Sequence, residues 1–128
     1  MQEAHSASVR RYLRTGRIAT SRISEVEVAS ALARRERDGA FSTHERDRGI
    51  RALSRDLSAW ILVELTPELA TDARDLLLRH GLRSSDGIQL ASCLYLQREV
   101  SQRIPFAAFD DRLNVAARNE GLTLVSFS

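Results

Sequence analysis

Between two long helical patterns the chain carries WILVEL, Trp60–Leu65, a short and nearly uninterrupted apolar run. A run of that length suits a strand buried on both faces of a parallel sheet better than it suits a helix. Three further segments are strand candidates: RIATS (Arg17–Ser21), PFAAFD (Pro105–Asp110) and LTLVSF (Leu122–Phe127). Parallel strands need long crossovers between them, and helical patterns lie where those crossovers belong. The expected class is therefore α/β, with helices on both faces of a short, mostly parallel sheet. A length of 128 residues fits one domain, residues 1–128.

The helices are legible from their ends. TPELATDARDLLLRHG has Thr66 as N-cap, Pro67 at the first helical position, Glu68 in the first turn and Gly81 at the C-terminal stop. ISEVEVASALARRERDG should end at Gly39, with Arg34, Arg35 and Arg37 where cations are favoured. A charge-dense helix should start at the N-cap Thr43 and run to about Ala59. Shorter helices are expected over residues 3–14 and from DRLNVAARNEG, stopping at Gly121. A sixth, apolar from Ile88 onward, opens on Asp86 and Gly87.

In open parallel sheets, function gathers at the carboxyl ends of the strands, so acids at strand-to-helix junctions matter. Asp110 ends PFAAFD and is followed by Asp111; it is either a helix cap or a functional carboxylate. Asp86 is either an N-cap or first-turn acid at the positive end of its helix or a functional carboxylate. Gly87 is a poor helix former, and either close approach of a backbone or a ligand or simple drift would account for it. Glu25 and Glu27 lie ~200° apart around one helix, and periodicity alone does not choose between them.

Composition narrows the class. The lone Cys93 cannot form an internal disulfide, which fits a reducing, cytoplasmic setting. No apolar run reaches the ~20 residues of a membrane span, and the N-terminus lacks a signal-peptide core. Nineteen basic residues against seventeen acids leave a net charge of +2, and every basic residue is Arg. Guanidinium groups bind phosphate well, so a nucleic-acid partner is permitted though not required. Arg10, Arg11, Arg14 and Arg17, and also Arg34, Arg35 and Arg112, are candidate phosphate contacts or plain solvated charges. His5, His44 and His80 have no ligand spacing, and Cys93 reads as a small core residue.

Three segments decide more than periodicity does. SRISEVEVASALARR, LRSSDGIQLASCL and FAAFDDRLNVAARNEGLTLVSF occur in this order. Together they resemble the PIN-domain nucleases, in particular the VapC-like toxins of type II toxin–antitoxin pairs, over nearly the whole chain. The family pattern Ser-x-x-(Ser/Thr)-x-x-Glu falls on Ser21, Ser24 and Glu27, which selects Glu27 over Glu25. The pattern Leu-x-x-x-Asp-(Ala/Gly)-x-x-Leu-Ala falls on Leu82–Ala91 and marks Asp86. The aromatic-Asp-x-x-Leu pattern marks Asp110 rather than its neighbour Asp111. The chain departs from the pattern at Gln89, where many relatives have His, and at Ala108, where many have Thr or Ser.

The resemblance implies an endoribonuclease toxin that uses Mg²⁺ or Mn²⁺, with Glu27, Asp86 and Asp110 as metal ligands and catalytic acids. Such hard ions prefer oxygen donors, and gathered carboxylates call for a cation to offset their repulsion. Asp111 and Ser21 are secondary candidates. RNA, a cognate antitoxin and a second copy of the chain are the implied partners. Relatives carry a further acid on a first strand of Leu-Asp-(Thr/Ser)-(Ser/Ala) type, and this sequence holds no such segment. The expectation is thus of an N-terminally incomplete PIN domain lacking its first strand. A PIN domain that binds antitoxin without cutting, and an unrelated α/β binding module, are the competing readings.

Overall fold

The computed structural model describes residues 18–108 and 110–125. The helix expected over residues 3–14, the arginines at 10, 11, 14 and 17, and Phe109 lie outside the described residues. The architecture is α/β, with five helices and a two-stranded parallel sheet among the described residues. Contacts gather into two compact units, one formed by Ala19–Glu64, the other by Ile18 and the described residues from Leu65 onward.

The first unit runs β1 (Ala19–Ser21), α1 (Ile23–Arg37), α2 (Thr43–Ala59) and β2 (Ile61–Val63). The strands pair in parallel, Ala19 with Ile61, Thr20 with Leu62 and Ser21 with Val63, and the two helices form the crossover that parallel pairing demands. The WILVEL strand is shorter than its apolar run: three residues pair, and the flanking Leu65 is exposed. Helix α2 is capped by Ser42, one residue before the expected Thr43. Ser42 Oγ accepts the Glu45 amide at 3.0 Å, and the Glu45 carboxylate accepts the Ser42 amide at 2.9 Å. That reciprocal pair satisfies two helix-end donors together. Thr43 instead donates its hydroxyl to Glu36, at 2.6 Å.

The second unit holds α3 (Pro67–His80), α4 (Ser84–Val100) and α5 (Asp111–Asn119). Helix α3 begins and ends as its local signals require: Thr66 Oγ1 accepts the Leu69 amide, and Gly81 takes the left-handed conformation at φ 66°. Its buried residues Leu69, Ala73 and Leu76 recur at helical spacing. They are matched by Gly87, Leu90 and Ala91 on α4 and by Leu113, Ala116 and Ala117 on α5. At Gly87, α3 and α4 approach closely. A Cβ there would sit 3.0 Å from the Ala73 carbonyl oxygen and 3.2 Å from Leu77 Cβ. Close backbone approach, one of the two reasons expected, explains this glycine. PFAAFD and LTLVSF do not form extended strands among the described residues; they meet at one parallel bridge, Phe106 with Leu124. No helix among the described residues is long and apolar enough to cross a membrane.

Candidate active site

Helix α4 starts at Ser84, two residues before Asp86, and Arg83 at its N-cap position makes no side-chain cap. Asp86 is therefore not the cap: it lies inside the first turn, with its side chain 17% exposed. Asp110 does cap α5, its Oδ1 accepting the Leu113 amide at 2.9 Å. The cap uses one oxygen only. Oδ2 of Asp110 lies 3.9 Å from Nη2 of Arg83, and the same guanidinium donates through Nε to Oδ2 of Asp86 at 3.2 Å.

One arginine thus bridges two carboxylates, each at the start of a helix whose N-terminus attracts negative charge. Asp86, Asp110, Asp111, Arg83 and Arg112 line one open concavity of about 400 Å³. Asp111, the first residue of α5, is exposed at its rim. Arg112 donates to the Gly81 carbonyl at 3.3 Å, and Asn114 donates to the Ala108 carbonyl at 3.0 Å, tying down the loop before Asp110. Arg83 was not a sequence candidate. Its spacing of three residues before Asp86 was visible, but its approach to Asp110, 27 residues on, was not.

The acid of the first unit stands apart in character. Glu27 is exposed on α1 and forms no ion pair among the described residues, whereas Glu25 lies 3.4 Å from Arg22. Arg22 also reaches Glu64 at 2.7 Å, and this contact is the main cause that holds the Glu64 carboxyl below its usual range. Ser21 is 1% exposed, and its Oγ accepts the Ile23 amide at 3.2 Å, so it anchors the start of α1. Ser24 shares a 2.6 Å hydrogen bond with Thr20. Arg34 and Arg35 are exposed near the end of α1, with the Arg35 guanidinium over the Phe41 ring. Cys93 is half-buried, and burial pushes its thiol up to about 11, which suits a packing role.

The chain matches the PIN-domain family over residues 1–119, which takes in Glu27, Asp86 and Asp110. It belongs to that family. No curated protein matches the chain closely enough to count as a relative. The PIN domain is a nuclease fold and its members generally depend on divalent metal. Among the described residues no three His, Cys, Asp or Glu side chains are gathered as a ready-made metal cage. The donor chemistry of the concavity nevertheless fits such an ion. Three carboxylates line it, and the Arg83 guanidinium already stands between two of them, Asp86 and Asp110. The side chain of that cation, Arg83, is 75% exposed, so little packing opposes its displacement.

Proposed function

We propose that this PIN domain is a Mg²⁺- or Mn²⁺-dependent endoribonuclease, the cytoplasmic toxin of a toxin–antitoxin pair. Asp86 and Asp110 would hold the cation, and Glu27 is the third carboxylate that the family pattern marks. The observation that carries this reading is the shared concavity in which Arg83 bridges Asp86 and Asp110. A divalent ion bound there supplies the Lewis acidity that orients and activates a water and offsets charge on the scissile phosphate.

The chain's own groups have definable parts. Capping of α5 through Oδ1 fixes the Asp110 side chain and leaves Oδ2 directed at the concavity. The α4 N-terminus holds Asp86 beside it. Arg83 offsets the repulsion of the two carboxylates, and its exposed planar fork also suits a phosphate of the substrate. Asp111 and Arg112 sit at the rim, where they contact the substrate or its counterions. Arg34 and Arg35 are weaker candidates for phosphate contact, and Ser21 acts by supporting the start of α1. A cognate antitoxin covering the acids and a homodimer are the partners this reading brings.

One observation favours a second reading. Because Arg83 already serves both carboxylates, the site is balanced without metal, as a PIN domain that binds an antitoxin but does not cut would be. Purified chain incubated with RNA in Mg²⁺, Mn²⁺ or EDTA separates the two. The nuclease reading expects cleavage in either metal and none in EDTA, with Arg83→Gln binding Mg²⁺ more tightly because the competing cation is gone. RNA left intact in both metals, with antitoxin binding retained, would establish the non-cutting module.

A further inference from the structure

Helix α2 carries four arginines, and they do not share one environment. Arg46 is used within the fold: it reaches Glu36 at 2.9 Å and Asp47 at 2.7 Å. Arg48, Arg51 and Arg55 are all exposed and form no ion pair among the described residues. At ~100° per residue these three fall within roughly 60° of one another, in a line along the helix. His44, also exposed, continues that line one turn toward the N-terminus.

The line lies opposite the packed side of α2. That side carries Gly49, against Leu32 of α1, and the buried Leu57. The helix's acids lie off the line. Glu45 is held in the capping box with Ser42 and only secondarily feels the charges of Arg48 and His44, Asp47 is bound to Arg46, and Asp56 sits on the flank. Ala19–Glu64 contains eight arginines and eight acids, so this unit has no net charge to explain the line. Positive charge is segregated on one face rather than merely abundant.

We propose that Arg48, Arg51 and Arg55 form a rail that docks the sugar–phosphate backbone of the RNA substrate. The proposal rests on the ribonuclease reading. Successive rises of ~4.5 and ~6 Å between these residues give a regular row of cations. Guanidinium groups donate in pairs to phosphate oxygens, and a row of them reads backbone rather than base. The polyanion is favoured over a protein partner because the stripe has no exposed large apolar residue in it to anchor a protein interface.

The test uses the full chain and a short fluorescent single-stranded RNA in EDTA, so that binding is read without cleavage. Arg48→Gln/Arg51→Gln/Arg55→Gln should bind roughly 100-fold more weakly at 0.1 M salt, with the slope of log K against log salt reduced by about 2. Gln keeps helix propensity high, and circular dichroism checks the fold. The triple Arg→Lys variant should keep the parent's salt slope, since the charge is retained, and bind more weakly than the parent but more tightly than the Gln variant, since the paired donation is lost. A charge-matched control, Arg74→Gln/Arg98→Gln/Arg103→Gln, should lose far less. Equal losses in test and control, or an unchanged salt slope in the test variant, would overturn the rail. So would loss of binding to an acidic protein with RNA binding intact. Failure of the nuclease reading is seen separately: a parent chain that binds RNA in a rail-dependent way but leaves it uncut in Mg²⁺ keeps the rail and loses the enzyme.

Discussion

The two units of the molecule are held together in different ways. In the second, helices α3, α4 and α5 each bury three or more residues, and Leu90 and Ala117 are fully enclosed. In the first, α1 buries none; Val26 is 70% exposed, and of the apolar side chains only Leu57 and Val63 are buried. Charged contacts are prominent there instead, Arg22 with Glu64 and Arg46 with Glu36. Ion pairs at or near the surface contribute little and are screened by salt, whereas apolar burial scales with area removed from water. The two carboxylates bridged by Arg83, Asp86 and Asp110, stand on the well-packed unit. Precise placement of charged groups needs locked neighbours, and that is where they are found.

The contrast can be broken by mutation. Leu90→Ala should cost about 2–5 kcal/mol in urea unfolding, because the enclosed site cannot collapse around the void. Leu57→Ala should cost less, since its surroundings are looser. Equal costs would mean the first unit is packed as tightly as the second.

A pair of helical glycines makes a sharper comparison. Gly87→Ala drives a methyl against the Ala73 carbonyl and Leu77, and should destabilise by about 1–3 kcal/mol. Gly49→Ala meets only the terminal carbons of Leu32, at 3.0 Å, which can shift aside. It should be near neutral or stabilising, by up to about 1 kcal/mol of helix propensity. Thermal unfolding of the two variants side by side decides this.

The smallest effect concerns pH. Glu120, half-buried, accepts from His80 at 2.7 Å and Arg79 at 2.6 Å, and these bonds, the first foremost, hold its carboxyl below the usual range. A carboxyl depressed in the folded state stabilises above its unfolded pKa, and that stability is lost as pH falls through the folded value. Tm should therefore fall on acidification below the ordinary carboxylate range, and Glu120→Gln should flatten part of that fall. An identical pH profile for the variant would show that the cluster contributes nothing.

Legibility followed how local each signal was. Helix α3 was readable because Thr66, Pro67 and Gly81 act within a few residues of one another. The start of α2 was misplaced by one residue because Ser42 and Thr43 both offer a hydroxyl, and only the return bond from Glu45 chooses between them. Helix α4 begins at Ser84 rather than at Asp86, and because its cap position is filled by Arg83, a residue with no capping oxygen, no local signal marks that start. Strands were expected too long, since pairing depends on a partner's register, and an apolar run does not encode that. For the site, resemblance marked Asp86 and Asp110, but Arg83 between them emerged only from the folded geometry. The arginine line on α2 was present as a spacing of three and four residues, yet it means something only once the opposite face is known to pack.

The most direct test of the account is the rate of Mg²⁺-dependent RNA cleavage by Asp86→Asn beside the parent chain. Asn keeps the shape of the side chain and removes the charge, so circular dichroism and Tm should change little. The account predicts a loss of activity of at least about 100-fold, the scale of removing a principal electrostatic group from an active site. Cleavage by Asp86→Asn at the parent's rate would contradict it.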